Sequence, residues 1–417
     1  MDSTSRSLSV NRVSISPKGR GATARPEPAK PSGTAFESVA LLLQGGGALG
    51  AYQAGVYEAL HAAGIEPTWL AGISIGAINS AIIAGNSPEL RVEKLRAFWE
   101  LASEPSDFGW SEIWTGMMSG DVLRRWINQM SAAEIMLNGV PGFFTTRTPP
   151  PYLAPPGSPQ ATSWYDTSAL RPTLERLVDF DRINHGETRF SVGAVNVRTG
   201  NFAYFDNTTE VIGPEHVMAS GALPPAFGAI EIDGEFYWDG GLVSNTPLDW
   251  VLSSRSDLDT LVLQVDLWSA RGGLPKDLTE VAVRMKEVQF SSRTRAATDQ
   301  FRKLQHLRAL FNEVLQKMPA DLAASPAARE LAAAADPAVY NIVQLIYRSE
   351  TYEGQSKDYE FSRRTMEDHW RAGHRDASRA LHDPNVLTPP EGPHAVKIFD
   401  FTTSHGADSA PKNSRRD

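Results

Sequence analysis

The sequence predicts an α/β protein in which a parallel sheet carries helices on its faces. Residues 39–43 form a short apolar run ending in Gln44 and a glycine cluster, and residues 68–73 form a second run with Gly72 near its end. Each reads as a buried strand entering a turn. Helical spacing follows both runs, with Val56, Ala59, Leu60 and Ala63 on one face of residues 50–63 and small residues filling 75–84. Strand–helix–strand–helix order makes the strands parallel, because each crossover helix returns the chain to the same end of the sheet. Size agrees: 417 residues, 41% of them hydrophobic, suffice for one large α/β domain with an appendage or two medium domains, and exclude wholesale disorder.

Residues 99–164 interrupt the alternation. They hold Trp99, Trp110, Trp114, Trp126 and Trp164, several methionines and Phe143-Phe144. Six prolines between 149 and 159 forbid regular helix or central strand there. The segment reads as a helical insertion followed by an extended loop, suited equally to a mobile apolar lid and to a packed core. The α/β pattern then resumes, with a strand pair at 188–197 and 201–205 and a hairpin over 229–238 turning at Asp233-Gly234. A short helix over 247–253 and a buried strand over 260–267 follow. Residues 277–335 are mostly helical, 339–347 and 395–401 read as strands, and 358–381 as a helix.

Several function classes are excluded. No apolar stretch approaches the roughly 20 residues that a membrane-spanning helix needs. The absence of cysteine removes disulfides, thiolate metal sites and a cysteine nucleophile, and it fits a reducing compartment, so a cytoplasmic location is expected. A net charge of −9 argues against a nucleic-acid partner. The charge is uneven: Arg6, Arg12, Lys18, Arg20, Arg25 and Lys30 give residues 1–35 a net of +4, leaving −13 on the rest. That basic tail lacks the apolar core of a secretory signal. Its composition fits a solvated disordered tail and also an organellar transit peptide, and residues 402–417 read as a second polar tail. His369 and His374 lie near Glu367 and Asp368 without metal-ligand spacing, so neither metal nor cofactor is expected.

Three constellations can carry chemistry. Gly45-Gly46-Gly47-Ala48-Leu49-Gly50 follows a strand and opens a helix. Such a loop gathers backbone N–H groups at the positive end of a helix and binds either a phosphate or a developing oxyanion. It also satisfies the dinucleotide fingerprint, but that needs an acid at the end of the next strand. Glu66 has the right distance yet precedes that strand, which ends in Gly72-Ile73-Ser74. Gly72-Ile73-Ser74-Ile75-Gly76 then lies between an apolar strand and a helix of small residues, the setting of a nucleophile elbow, although an N-capping serine in a tight turn reads the same way. In Trp238-Asp239-Gly240-Gly241, a strand with Phe236, Tyr237 and Trp238 delivers a carboxylate into a glycine turn, where apolar neighbours raise its proton affinity.

Together and in this order, the three motifs resemble the patatin-like phospholipase family, and residues 219–227 (A-S-G-A-L-P-P-A-F) resemble the family's block ahead of its aspartate. The resemblance covers about residues 37–270. It implies a three-layer α/β/α fold, hydrolysis of lipid acyl esters, and a serine–aspartate dyad without histidine. By position, Ser74 is then the nucleophile, Asp239 the base, and the amides of residues 45–50 the oxyanion hole. Leu49 departs from the Arg or Lys common at that place in the family. Residues 271–401 resemble a C-terminal extension of unknown function found on one bacterial branch. In it Arg284, Lys286, Arg293, Arg295, Arg302, Lys303 and Arg308 form a basic helical stretch able to touch anionic lipid peripherally, or simply a solvated face. The competing readings are an esterase with a Ser–Asp–His triad, drawing on His306, His369, His374, His382 or His394, and a non-catalytic dinucleotide- or lipid-binding module.

Overall fold

The computed structural model describes residues 31, 33–104, 121–254, 258–291, 294–335, 338–348, 356–391 and 396–401. Trp110, Trp114, His394 and nearly all of the two expected tails lie outside the described residues. The central sheet uses β1 (Ser38–Leu43), β2 (Trp69–Gly72), β5 (Arg189–Asn196), β6 (Phe202–Asp206), β7 (Ile230–Ile232), β8 (Glu235–Asp239), β9 (Thr260–Asp266), β10 (Tyr340–Ile346) and β11 (Val396–Asp400). A separate two-stranded ladder joins β3 (Thr145–Thr146) to β4 (Tyr165–Asp166). The sheet order is β11-β10-β9-β1-β2-β5-β8-β7, with β6 also pairing β5. From β11 to β5 every pairing is parallel, and β6, β7 and β8 pair antiparallel at the other end.

The helices that matter for the site are α1 (Ala51–Ala62), α2 (Ile75–Ala84), α3 (Pro88–Ala102), α4 (Asp121–Asn138), α5 (Pro214–Ser220), α6 (Leu248–Ser253), α7 (Leu278–Phe290), α8 (Thr294–Gln316) and α9 (Arg363–Leu381). Strand alternation sorts side chains between two helical layers. Val39, Leu41 and Leu43 of β1 enter a core with Val56 and Leu60 of α1, Ile78 and Ile82 of α2, Phe98 of α3 and Trp370 of α9. Ala40 and Leu42 enter the opposite core with Val251 and Leu252 of α6 and Phe301 of α8. These are the three layers that the resemblance implied. No described helix is long and apolar enough to cross a membrane.

The structure corrects one expected boundary and adds detail to two readings left open. The helix expected from residue 358 begins at Arg363, because the Ser362 side chain accepts the Thr365 N–H and caps it there. Residues 358–361 turn toward the first glycine loop instead, where Asp358, Tyr359 and Phe361 join the site's lining. Trp99 belongs to the core rather than to a cover, donating from Nε1 to Asn79 Oδ1 at 3.0 Å. In the rest of the interrupting segment, Phe143 and Phe144 are buried against Phe227, whereas Tyr152, Leu153 and Trp164 are exposed. Finally, much of the basic stretch is internally paired: Arg284 with Glu287 at 3.1 Å, Lys286 with Asp358 at 2.9 Å and Arg302 with Asp299 at 3.0 Å. Residue 293 lies outside the described residues.

Candidate active site

The parallel strands deliver loops to one end of the sheet, where ligands of open α/β sheets bind. β1 ends there in Gln44 and the glycine loop, β2 in Ser74 and β9 in Leu267-Trp268. Asp239 arrives from the antiparallel side. β5 pairs Val192 with Gly72 of β2, and two residues on it pairs Ala194 with Asp239, at the end of β8. This register puts the carboxylate level with the turn after β2.

That turn is sharp. Ser74 has φ 55° and ψ −123°, a left-handed conformation that costs a non-glycine residue about 1–3 kcal/mol. Its flanking glycines permit it: a Cβ on Gly72 would sit 2.3 Å from the Gly76 carbonyl oxygen, and one on Gly76 would sit 2.1 Å from that of Leu43. Ser220 steadies the turn. Its hydroxyl accepts the Ser74 N–H at 3.0 Å and donates to the Gly193 carbonyl at 2.7 Å. This gives a contact to the serine of residues 219–227, which the motif itself did not assign.

The Ser74 side chain stands beside the Asp239 carboxylate in the pocket lining, where its hydroxyl draws the carboxyl's pKa down. Asp239 is 2% exposed, and its Oδ1 accepts the Gly241 N–H at 2.7 Å. Burial pushes its pKa up from 3.8 to about 7, against the pull of the Ser74 hydroxyl and the Gly241 N–H. A carboxylate so placed can take a proton from the hydroxyl it touches near neutral pH.

The glycine loop is more selective than its sequence. The Gly45 N–H donates to the Asn245 carbonyl at 3.3 Å, Ala48 to that of Asp358 at 3.0 Å and Leu49 to that of Gly46 at 3.2 Å. Leu49 and Gly50 are buried in the one-turn helix Gly47–Gly50. Of the six residues expected to line the hole, Gly45, Gly46 and Gly47 face the pocket, and Ala48, Leu49 and Gly50 are not among its lining residues. Among the described residues, the N–H groups of Gly46, Gly47 and Ile75 have no protein acceptor, the last because it opens α2. All three residues line the pocket with Ser74 and Asp239.

The pocket opens to solvent, and its walls are mostly apolar. Phe143, Phe144, Leu223, Phe227, Trp268, Phe290 and Phe361 line it. Elements far apart in sequence therefore build it, and Asn245, Trp268, Phe290, Asp358, Tyr359 and Phe361 carried no local signal. Gly241 also lines it, while Gly240 and Ile73 pack behind, a Cβ on Gly240 falling 3.2 Å from Ile73 Cγ2. No histidine is among the described lining residues. Glu66 is engaged elsewhere, ahead of β2, by Tyr57, His61 and Arg91 at 2.8, 2.6 and 2.6 Å. Glu66 is thus not among the lining residues, and β2 ends in Gly72 rather than in the acid that the dinucleotide fingerprint places there.

Comparison with solved structures finds distant likenesses. VipD from Legionella pneumophila shares 15% identity over 88% of this chain and 72% of its own, with a TM-score of 0.36. The type III effector protein ExoU shares 14% over 85% and 54%, with a TM-score of 0.29. The complex of full-length SpcU with full-length ExoU from Pseudomonas aeruginosa gives 17% over 78% and 69%, with a TM-score of 0.21. Curated proteins give no match. Family patterns are decisive where these likenesses are not. One described as Patatin phospholipase matches residues 288–392. Another matches residues 41–252, just over half of the sequence, from within β1 through the Asp239 turn, and by it the chain belongs to the patatin-like phospholipase family.

Proposed function

We propose that the protein is a serine acyl hydrolase that cleaves the acyl esters of lipids with a Ser74–Asp239 dyad. The observation that carries this reading is Ser74, on its strained turn, standing beside a buried Asp239 whose pKa is pushed up to about 7, with open N–H groups and an apolar pocket around them. In the first half-reaction, Ser74 Oγ attacks the ester carbonyl carbon as its proton passes to Asp239. The carbonyl oxygen becomes an oxyanion held by the Gly46, Gly47 and Ile75 N–H groups. Collapse breaks the acyl–oxygen bond, and the Asp239 carboxyl returns the proton to the departing alcohol. Water then attacks the acyl-serine, Asp239 again taking the proton and returning it to Ser74 Oγ as the acyl–Oγ bond breaks and the fatty acid leaves.

The aromatic walls support an acyl chain as the group bound. Peripheral contact with a lipid surface is part of the same reading. Leu278, Val281, Met285 and Val288 make an exposed apolar stripe on α7, 86, 47, 64 and 60% exposed, and Phe290 at the end of that helix lines the pocket. The test is hydrolysis of p-nitrophenyl esters of graded chain length. Catalytic efficiency should rise by about 10-fold or more from two to eight carbons, since each buried methylene contributes about 0.8 kcal/mol. Equal rates along the series, or none in any ester, would contradict it.

A further inference from the structure

We propose that Asp358 and Lys286, both from the C-terminal segment, are positioning residues for the glycine loop. The inference rests on reading that loop as the oxyanion site. Gly47 has φ +56°, and a Cβ there would sit 2.3 Å from the Asp358 carbonyl oxygen. Asp358 therefore presses on the loop at a residue whose N–H is open to the pocket. Its carbonyl accepts the next N–H, that of Ala48, at 3.0 Å. This bond fixes the peptide between Gly47 and Ala48, the unit next to the one that carries the Gly47 N–H, and so limits how that donor can turn.

The carbonyl is itself held from behind. Lys286 Nζ lies 2.9 Å from both Oδ atoms of Asp358. The adjacent residues form a second rung, Lys357 Nζ to Glu287 Oε1 at 3.0 Å, with the Lys357 side chain 3% exposed. Two consecutive residues of α7 thus grip two consecutive residues ahead of α9. Pairs so enclosed hold their geometry, unlike solvated pairs, and removing one partner strands a buried charge. The end of α7 reaches the other side of the loop: the Phe290 carbonyl accepts from Asn245 Nδ2 at 2.9 Å, and the same nitrogen donates to the Gly45 carbonyl at 3.1 Å. Leu49, where the family often carries a cation, is wholly buried among apolar side chains. Here the cation is Lys286, acting on the loop through Asp358.

The experiment compares wild type with Lys286→Met, Asp358→Asn, the double variant Lys286→Gln/Asp358→Asn, and Lys286→Arg on one soluble short-chain ester. Inhibition by a trifluoromethyl ketone, which mimics the tetrahedral oxyanion, and by a ground-state amide analogue is measured beside it. The expected loss is about 10- to 100-fold in kcat for the first three variants, as when a reacting group is displaced by a fraction of an ångström, with KM within about twofold. Ketone affinity should fall in step with kcat/KM while amide affinity stays. Lys286→Arg should recover most of kcat, and the double variant should lose no more than the worse single, because the pair acts as a unit. If Lys286→Met fails to fold, the double variant, which buries no lone charge, is read in its place. A folded variant with wild-type kcat, or with KM alone altered, overturns the inference. Wild-type protein without turnover and without Ser74 labelling by a fluorophosphonate overturns the hydrolase reading instead.

Discussion

Asp239→Asn is expected to remove at least about 10³-fold of ester turnover, the range of general-base catalysis, while leaving the protein folded. The amide matches the carboxylate in shape. Its oxygen can still accept the Gly241 N–H, now at 2.7 Å from Oδ1. What it cannot do is take the Ser74 proton. The same substitution should stabilise the protein at alkaline pH. The folded pKa of about 7 lies above the ordinary 3.8, so between these values the native state binds the proton that the unfolded chain has released. Native stability from this group is complete below about pH 4, falls as pH rises and is lost above about pH 7, with a cost on the order of 4 kcal/mol. The variant carries no such titration. Its melting temperature should match wild type near pH 4 and exceed it near pH 8, while turnover is lost at both. An inactive variant that is less stable at pH 8 would mean that Asp239 is held ionised by something other than the proposed setting.

Ser74→Ala is expected to cost the most, about 10⁴- to 10⁶-fold, because no nucleophile replaces the hydroxyl. The alanine keeps the backbone turn, and Ser220 still accepts the N–H of residue 74, so the variant should fold. Changes at histidine discriminate the mechanism. In a triad the aspartate orients a histidine that moves the proton, and losing that histidine is as damaging as losing the serine. Here His369 is buried with its ring 5.0 Å from that of Tyr347, away from the pocket lining. Exchange of His306, His369, His374, His382 or His394 for Gln should leave kcat per folded molecule within about threefold. One histidine variant, folded yet inactive, would favour the triad.

Local pattern carried the parts of the fold that local physics decides. β1, the glycine loop and α1 are contiguous, as are β2, Ser74 and α2, and their apolar spacing and turn residues are legible in a window of twenty positions. The hairpin at Asp233-Gly234 is another such case, with φ 50° and 82° at the two turn residues. The closure of the site was not legible. The contact between Ala48 and Asp358 joins residues some three hundred positions apart, and nothing in D-Y-E-F marks a segment that will lie on a glycine loop. The same holds for the cations of α7. As a run they read as a solvated face, since Asp358, the partner of Lys286, and Lys357, the partner of Glu287, lie some seventy positions further along the sequence. Six adjacent loop residues likewise look equivalent in sequence. The acceptors of Gly45, Ala48 and Leu49, the first two of them distant in sequence, separate donors already used from those left open.

The central claim is that Ser74 reacts because Asp239 takes its proton directly. Fluorophosphonate labelling followed across pH, with the adduct mapped by peptide mass spectrometry, tests it most directly. The account predicts a single adduct on Ser74, a labelling rate that rises through about pH 7 as Asp239 ionises, and loss of that rise in Asp239→Asn. An adduct on another residue, or a labelling rate in Asp239→Asn equal to wild type at every pH, would contradict it.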